Sequence, residues 1–184
     1  MSKDMKCLTI VTFIVILSAA CVDIFCPRTG LRPFADVLQE EINKAGLQTY
    51  TDSDFGYTVS YPSCFRIETD PQHNYVGQAR FCYDSWTQIA LECYVTRAVG
   101  KDNTTVCGID RMARILHAGK RQAGKDAYVL YGPLYEEGVR IEGFSHYTKC
   151  IRKGKLWLVY ALSYPDEYRG NIKRLFTLID SWQV

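Results

Sequence analysis

The sequence predicts an α+β protein in which an antiparallel β-sheet is covered by helices, as an α/β/α sandwich. The chain has 184 residues, 47% hydrophobic and 23% charged, which are the proportions of an ordinary globular protein. Stretches with the two-residue alternation of strands follow one another, and helical periodicity occurs near the start, in the middle and at the end. Runs of strands of this kind favour an antiparallel sheet over a parallel, doubly wound one.

The N-terminal segment has the layout of a signal peptide. Lysines precede a run from Leu8 to Leu17 that is apolar except for two threonines, and small residues ending at Ala20 follow it. A basic start, an apolar centre and a small-residue cleavage site direct export and are then removed. A membrane-spanning helix needs about 20 apolar residues, and this run meets Asp23 too soon, so an uncleaved anchor is the less favoured alternative.

Cys21 follows the cleavage site directly, and the segment from Leu17 to Cys21 resembles the lipobox of bacterial lipoproteins. In that family the cysteine carries the lipid and becomes the first residue of the mature chain. The family pattern has Leu, Val or Ile three residues before the cysteine, where this chain has Ser18. The resemblance implies lipidation of Cys21 and a cell-envelope protein held at the membrane surface. Cleavage without lipidation, which would give a secreted protein, is the alternative.

The remaining cysteines bear on the same question. Of the eight in the chain, Cys7 lies in the leader and Cys21 would carry lipid, which leaves an even number, as exported disulfide-bonded domains prefer. Reduced cysteines buried as small apolar side chains are an equally supported alternative. Strand alternation places Cys82 and Cys93 on opposite faces, which excludes a bond between those two. The candidate disulfide cysteines are Cys26, Cys64, Cys82, Cys93, Cys107 and Cys150.

Removal of the leader leaves enough chain for one sizeable core. We therefore assign residues 1–20 to the signal peptide, 21–33 to a tether and 34–184 to a single α+β domain. The first helix is predicted from Phe34 to Ala45, because Pro33 suits its first turn and Gly46 its C-terminal cap. A turn at 52–56 precedes a strand at 57–61, and further strands are predicted at 78–83 and 88–97.

The second half continues the pattern. A loop at 100–104 leads into a short helix whose apolar stripe is Ile109, Met112, Ile115 and Leu116. Strands are predicted at 127–131, 139–151 and 156–163, with the last two joined as a hairpin at Gly154. Residues 156–162 are apolar at every position, which predicts a central strand covered on both faces. A closing helix is predicted from about 165 to 182.

This order of elements resembles the PsbP-like fold. The resemblance lies in the strand Phe55 to Ser63, the hairpin through Gly154, the Tyr164-Pro165 step and the final Ile179 to Trp182, and it extends from Asp52 to Trp182. It implies an antiparallel sheet between helices. It also implies an exported or membrane-tethered accessory protein that binds a partner and does not catalyse a reaction.

Motifs for chemistry are missing from the sequence. The histidines His73, His117 and His146 stand in no metal- or haem-binding spacing, and no nucleophile elbow, phosphate loop or dinucleotide fingerprint occurs. The net charge of +2 comes without a basic run, which argues against nucleic acid as a partner. We therefore expect no enzyme activity, no cofactor and no metal site.

Two groups of residues are candidate binding sites. Alternation along strand 139–147 places Arg140, Glu142 and His146 on one face, as possible ligand-binding residues, and a solvated strand face is the alternative. The tyrosines of the second half could stack against sugars or pack in the core: Tyr128, Tyr131, Tyr135, Tyr147 and Tyr160.

The sequence thus predicts an exported, lipid-anchored cell-envelope accessory protein that binds an unknown protein partner. A protein that binds a small ligand, such as a carbohydrate, is the alternative, and an enzyme has the least support.

Overall fold

The chain folds into an antiparallel sheet with helices on both faces, in the part that the computed structural model describes, residues 32–68, 77–97 and 105–184. The chain divides into two units, Met1–Phe34 and Ala35–Val184, and the strands that the structure describes lie in the second. The elements in chain order are α1 (Phe34–Lys44), β1 (Leu47–Asp52), β2 (Tyr57–Pro62), β3 (Arg66–Ile67), β4 (Ala79–Cys82), β5 (Ala90–Arg97), α2 (Thr105–Ile115), β6 (Gly119–Gln122), β7 (Ala127–Glu136), β8 (Val139–Lys153), β9 (Leu156–Pro165), a 3-10 turn (Asp166–Tyr168) and α3 (Lys173–Ser181).

The main sheet has seven strands in the order β3-β4-β5-β9-β8-β7-β6, and every neighbouring pair is antiparallel. β1 and β2 form a separate two-stranded hairpin. β9 lies between β5 and β8, where Tyr160 is in register with Cys93 on one side and Lys149 on the other. The predicted α+β class and the central position of this strand are confirmed.

The core has one layer on each face of the sheet. On the first face, Leu158, Tyr160 and Leu162 of β9 pack with the buried residues of α1, α3 and the β1-β2 hairpin. On the second face, Trp157 and Val159 pack with Ile109 of α2. Successive residues of a strand point to opposite faces, so a strand covered by helices on both faces is apolar at every position.

The closing helix is shorter than the sequence predicted. Pro165 is the last residue of β9, in register with Phe144, and its backbone is extended. A 3-10 turn and a further turn at 169–171 follow, and α3 begins only at Lys173. The apolar residues before Lys173 suggested a longer helix because they are buried as they would be in one. Ile172, for example, is buried although it precedes the helix.

The sequence also failed to predict three strands, of which β3 (Arg66–Ile67) has only two residues. β1 (LQTYTD) and β6 (GKRQ) are mostly polar, and every residue of β6 is exposed at the edge of the sheet. Neither strand has the apolar alternation by which a half-buried strand is recognised. In α2 the predicted stripe holds for Ile109, which is buried, but Ile115 is 64% exposed.

Four of the described cysteines are free thiols: Cys64, Cys82, Cys93 and Cys150. The disulfides expected among these four are therefore not formed. The register of β4 with β5 puts Cys82 and Cys93 on opposite faces, as predicted. Cys150 lies on the face of Cys82, but β5 and β9 separate their strands, a distance of about 14 Å that exceeds the reach of a disulfide.

Several predictions fall outside the described residues. These are the signal peptide, the lipidation site Cys21, Cys26, the tether up to residue 31, the loop at 100–104 and the side chain of Cys107. Among the helices that are described, none combines the length and the apolar character needed to cross a membrane.

Candidate functional site

A groove of about 790 Å³ lies on the second face of the sheet. Its floor includes Cys82 of β4, Ala90 of β5 and Ser163 of β9, which are in register across three adjacent strands. Its apolar wall is formed by Leu134, Ile141 and Phe144, which come from β7 and β8. With Arg66 and Ile67 of β3, the groove combines residues from six strands that are far apart in sequence.

Trp86 lies at this groove and is 91% exposed, an unusual state for the largest apolar side chain. Its turn is held by Asp84, whose Oδ1 accepts hydrogen bonds from the backbone of Trp86 at 2.9 Å and of Thr87 at 2.6 Å. The Thr87 hydroxyl donates to the same oxygen at 2.7 Å. Partial burial raises the pKa of the Asp84 carboxyl, but these hydrogen bonds outweigh it and lower the pKa. The turn thus holds an exposed indole at the groove without burial of the ring itself.

Around Cys82, in contrast to the apolar wall, charged side chains line the groove. Arg80 Nε lies 3.2 Å from Glu68 Oε2, close enough for an ion pair but not aligned for a hydrogen bond. The Cys82 thiol donates to the same Glu68 carboxylate at 3.5 Å. Burial, and then the Glu68 charge, raise the pKa of this thiol. A raised pKa keeps Cys82 protonated, which is the reverse of the activation that a nucleophilic cysteine requires.

The residues predicted as a ligand-binding face are placed differently. Arg140 and Glu142 are exposed and form an ion pair at 3.5 Å. His146 is only 6% exposed. The strand alternation that would put all three on one face is interrupted at Gly143, whose φ of +76° is a glycine conformation, and the β7-β8 register shifts nearby. As a result, Ile141 and Phe144 face the groove, and the predicted trio does not form one surface.

His146 lies beneath the second face of the sheet. Its Nδ1 is 3.2 Å from the Thr148 hydroxyl, and its Nε2 makes no hydrogen bond within the described structure. Burial lowers the pKa of this imidazole, and the Leu116 carbonyl acts in the opposite direction. The ring is therefore a neutral core side chain.

The predicted tyrosine group divides between core and surface. Tyr160 is fully buried and donates its hydroxyl proton to the Ser60 carbonyl at 2.8 Å, and Tyr128 packs edge-on against Trp157. Tyr131 and Tyr147 line a second, smaller cavity. The tyrosines thus form no common platform for stacking.

Sequence reasoning did not identify the groove or Trp86. The available signal was the segment Asp84-Ser85-Trp86-Thr87, in which turn-forming residues surround a tryptophan. An aromatic residue inside a polar turn has no core to enter, and such a residue is a candidate contact for a partner. The described residues contain no group of three or more His, Cys, Asp or Glu able to hold a metal ion.

The architecture defines a class: the chain has the α+β fold shared by PsbP and Mog1. It is similar to cyanobacterial PsbP (CyanoP) from Synechocystis sp. PCC 6803, at 16% identity and a TM-score of 0.51, over 75% of this chain and 91% of that one. It is also similar to the Ran-binding protein Mog1p of Saccharomyces cerevisiae, at 7% identity and a TM-score of 0.55, over 76% of this chain and 93% of that one. Identities this low establish the fold alone, and they confirm the PsbP-like fold that the sequence resemblance implied. No protein-family model matches the chain, and no curated protein does.

Proposed function

We propose that this protein is an exported, lipid-anchored accessory protein of the cell envelope that binds a protein partner in the groove beside Trp86 and catalyses no reaction. The observation that carries the proposal is the exposure of Trp86 on a turn fixed by Asp84. An indole that stays in water does not gain the free energy of burial. Tryptophan is enriched among the residues that dominate binding at protein interfaces, where a partner supplies that burial.

The composition of the groove supports a protein partner. Apolar residues at its wall, Leu134, Ile141 and Phe144, lie beside charged ones, Arg66, Arg80 and Glu68. Ile67, on the edge strand β3, is a second exposed apolar side chain at the groove. An apolar centre with a charged rim is the usual arrangement of protein interfaces.

The leader and Cys21 support the location. A lipid on Cys21 would hold the domain at the membrane surface, and confinement there raises its effective concentration near membrane proteins. A groove of moderate affinity is then sufficient for occupancy.

A carbohydrate ligand is the second candidate, because an exposed indole also stacks on sugar rings. The apolar wall of the groove beside the charged Arg80 and Glu68 favours a protein, because apolar side chains next to charged ones are the usual arrangement at protein interfaces.

A photocrosslinking amino acid at position 86 of the full chain, in its native membrane, tests the proposal. The matched control carries it at position 115, because Ile115 is also exposed and apolar but does not line the groove. We expect a discrete protein adduct from position 86, abolished by Ile67→Asp, and none from position 115. The same adduct from both positions, or none from position 86, would contradict a protein partner in this groove. Quenching of Trp86 fluorescence by envelope polysaccharide without any protein adduct would favour the carbohydrate.

A further inference from the structure

A second cavity, of about 300 Å³, lies on the first face of the sheet, away from the groove. It is lined by side chains from four strands and the turn after β9: Arg121, Tyr131, Ser145, Tyr147, Tyr164 and Arg169. All of them carry a hydrogen-bonding group, and two carry a permanent positive charge. Ligand pockets in proteins begin at about this size, so the cavity suits a small molecule.

Arg121 is held in place by two partners. One terminal nitrogen donates to the Tyr147 hydroxyl at 2.8 Å and to Asp180 Oδ1 at 3.0 Å. Tyr147 donates in turn to the same Asp180 oxygen at 2.9 Å, which closes the triangle. A guanidinium has five N–H donors, and in the described part of the chain the other nitrogens of Arg121 make no hydrogen bond. The group is therefore oriented but not saturated.

Arg169 supplies the second guanidinium. Its side chain is exposed and makes no ion pair or hydrogen bond with any of the residues that the structure describes. The charge of Arg169 nevertheless affects a cavity residue. Burial raises the pKa of the Tyr164 phenol, and the positive charge of Arg169 opposes that rise. Arg169 thus lines the same cavity as the buried Tyr164, and its own donors have no partner among the described residues.

The surrounding charges favour an anion. Lys149, buried beside Arg121, adds a third cation to the two arginines. The opposing carboxylates are Asp180 and Asp166, and Asp166 accepts a hydrogen bond from the Ser145 hydroxyl at 2.5 Å. These cations outnumber the two carboxylates, and three of the lining side chains are tyrosines.

We propose that this cavity binds the oxyanion group, a carboxylate or a phosphate, of a small ligand, with Arg121 and Arg169 as its charged contacts and the tyrosine rings against its apolar part. The planar fork of a guanidinium matches both oxyanions with paired hydrogen bonds. The site uses neither Trp86 nor any other residue of the groove.

The test is a titration of the isotope-labelled full chain with sodium benzoate or with inorganic phosphate, followed by the amide signals of Gly132 and Ser145. Arg169→Gln is the test variant because no described residue pairs with the Arg169 side chain. Arg140→Gln is the matched control, since Arg140 is an exposed arginine outside the cavity. We expect saturable shifts with at least one probe, an affinity about tenfold or more weaker for Arg169→Gln, and no change for Arg140→Gln.

The two probes distinguish the ligand's chemistry, because tighter binding of benzoate indicates a carboxylate on an apolar ring and tighter binding of phosphate indicates a phosphate ester. Shifts that do not saturate, that sodium chloride reproduces, or that both variants weaken equally would overturn the proposal. Trp86→Ala should leave the titration unchanged, so failure of the groove proposal and failure of this one are separable.

Discussion

The ammonium group of Lys149 donates a hydrogen bond to the backbone carbonyl of Trp182 at 2.6 Å, which joins the middle of β8 to the C-terminal end of α3. A second bond runs from the same ammonium to the Asp180 carbonyl at 2.5 Å. Carbonyls at the end of a helix have no partner within the helix, and the negative end of the helix dipole attracts a cation. Lys149 therefore anchors the closing helix to the sheet.

We predict that Lys149→Met lowers the free energy of unfolding by about 1–3 kcal/mol, since it leaves two carbonyls of a helix end without their donor. Lys155→Met is the control, because Lys155 is exposed in the turn between β8 and β9. Urea unfolding of both variants measures the difference. Equal stability of the two variants would show that Lys149 does not support α3.

Stability should fall at alkaline pH because of the buried thiols. Burial raises the pKa of Cys150 from 9.0 to about 12 and that of Cys93 from 9.0 to about 11. The unfolded chain therefore loses these protons above pH 9 while the folded chain keeps them, so the stabilisation present below pH 9 is lost as pH rises towards 11 and 12. Cys150→Ala should reduce the fall in unfolding free energy between pH 8 and pH 10 by about 1 kcal/mol. The control is Cys64→Ala, whose thiol is only partly buried. An unchanged slope in Cys150→Ala would contradict the burial of that thiol.

Trp86 should dominate the quenchable fluorescence of the protein. Trp157 is fully buried and Trp182 is 6% exposed, whereas Trp86 is 91% exposed. We expect Trp86→Phe to remove most acrylamide quenching and to blue-shift the remaining emission. Its free energy of unfolding should stay within about 0.5 kcal/mol of the wild type, because the ring is almost fully in water. Quenching that survives the substitution would place the exposed indole elsewhere.

A side chain at Gly143 should lower the stability of the protein through backbone conformation alone. Its φ is +76°, and a Cβ at this position would meet no atom within 4 Å. Gly143→Ala should therefore cost about 1 kcal/mol or more from backbone strain without any steric clash. Gly170→Ala, at an equally open glycine outside the left-handed region, should cost less. Thermal unfolding of the pair measures the difference, and equal midpoints would refute the strain at Gly143.

The lipid anchor is tested by mass. We predict that protein from native membranes begins at Cys21 and carries acyl chains, and that Cys21→Ser shifts it to the soluble fraction with the domain still folded. A soluble wild-type protein whose mass fits an unmodified Cys21 would show secretion in place of anchoring.

Much of the fold could be predicted because it depends on local periodicity. The all-apolar run of β9 identified a strand covered on both faces, and alternation placed Cys82 and Cys93 on opposite faces. The exposed strands β1 and β6 were not predicted, because an edge strand buries few side chains and so has no apolar pattern. The predicted face of Arg140, Glu142 and His146 failed because alternation assumes an unbroken strand, and one glycine interrupts β8.

The sequence by itself determined the α+β class and the helices near its start, middle and end, since each depends on residues close together along the chain. It also predicts an export-type leader that ends before Cys21, which lies outside the described residues. Only the tertiary structure decided the groove and the cavity. Cys82, Ala90 and Ser163 become neighbours through strand pairing, and Arg121 and Asp180 through the docking of α3 on the sheet. Pairing and docking depend on the packing of the whole core, which no local pattern of residues encodes.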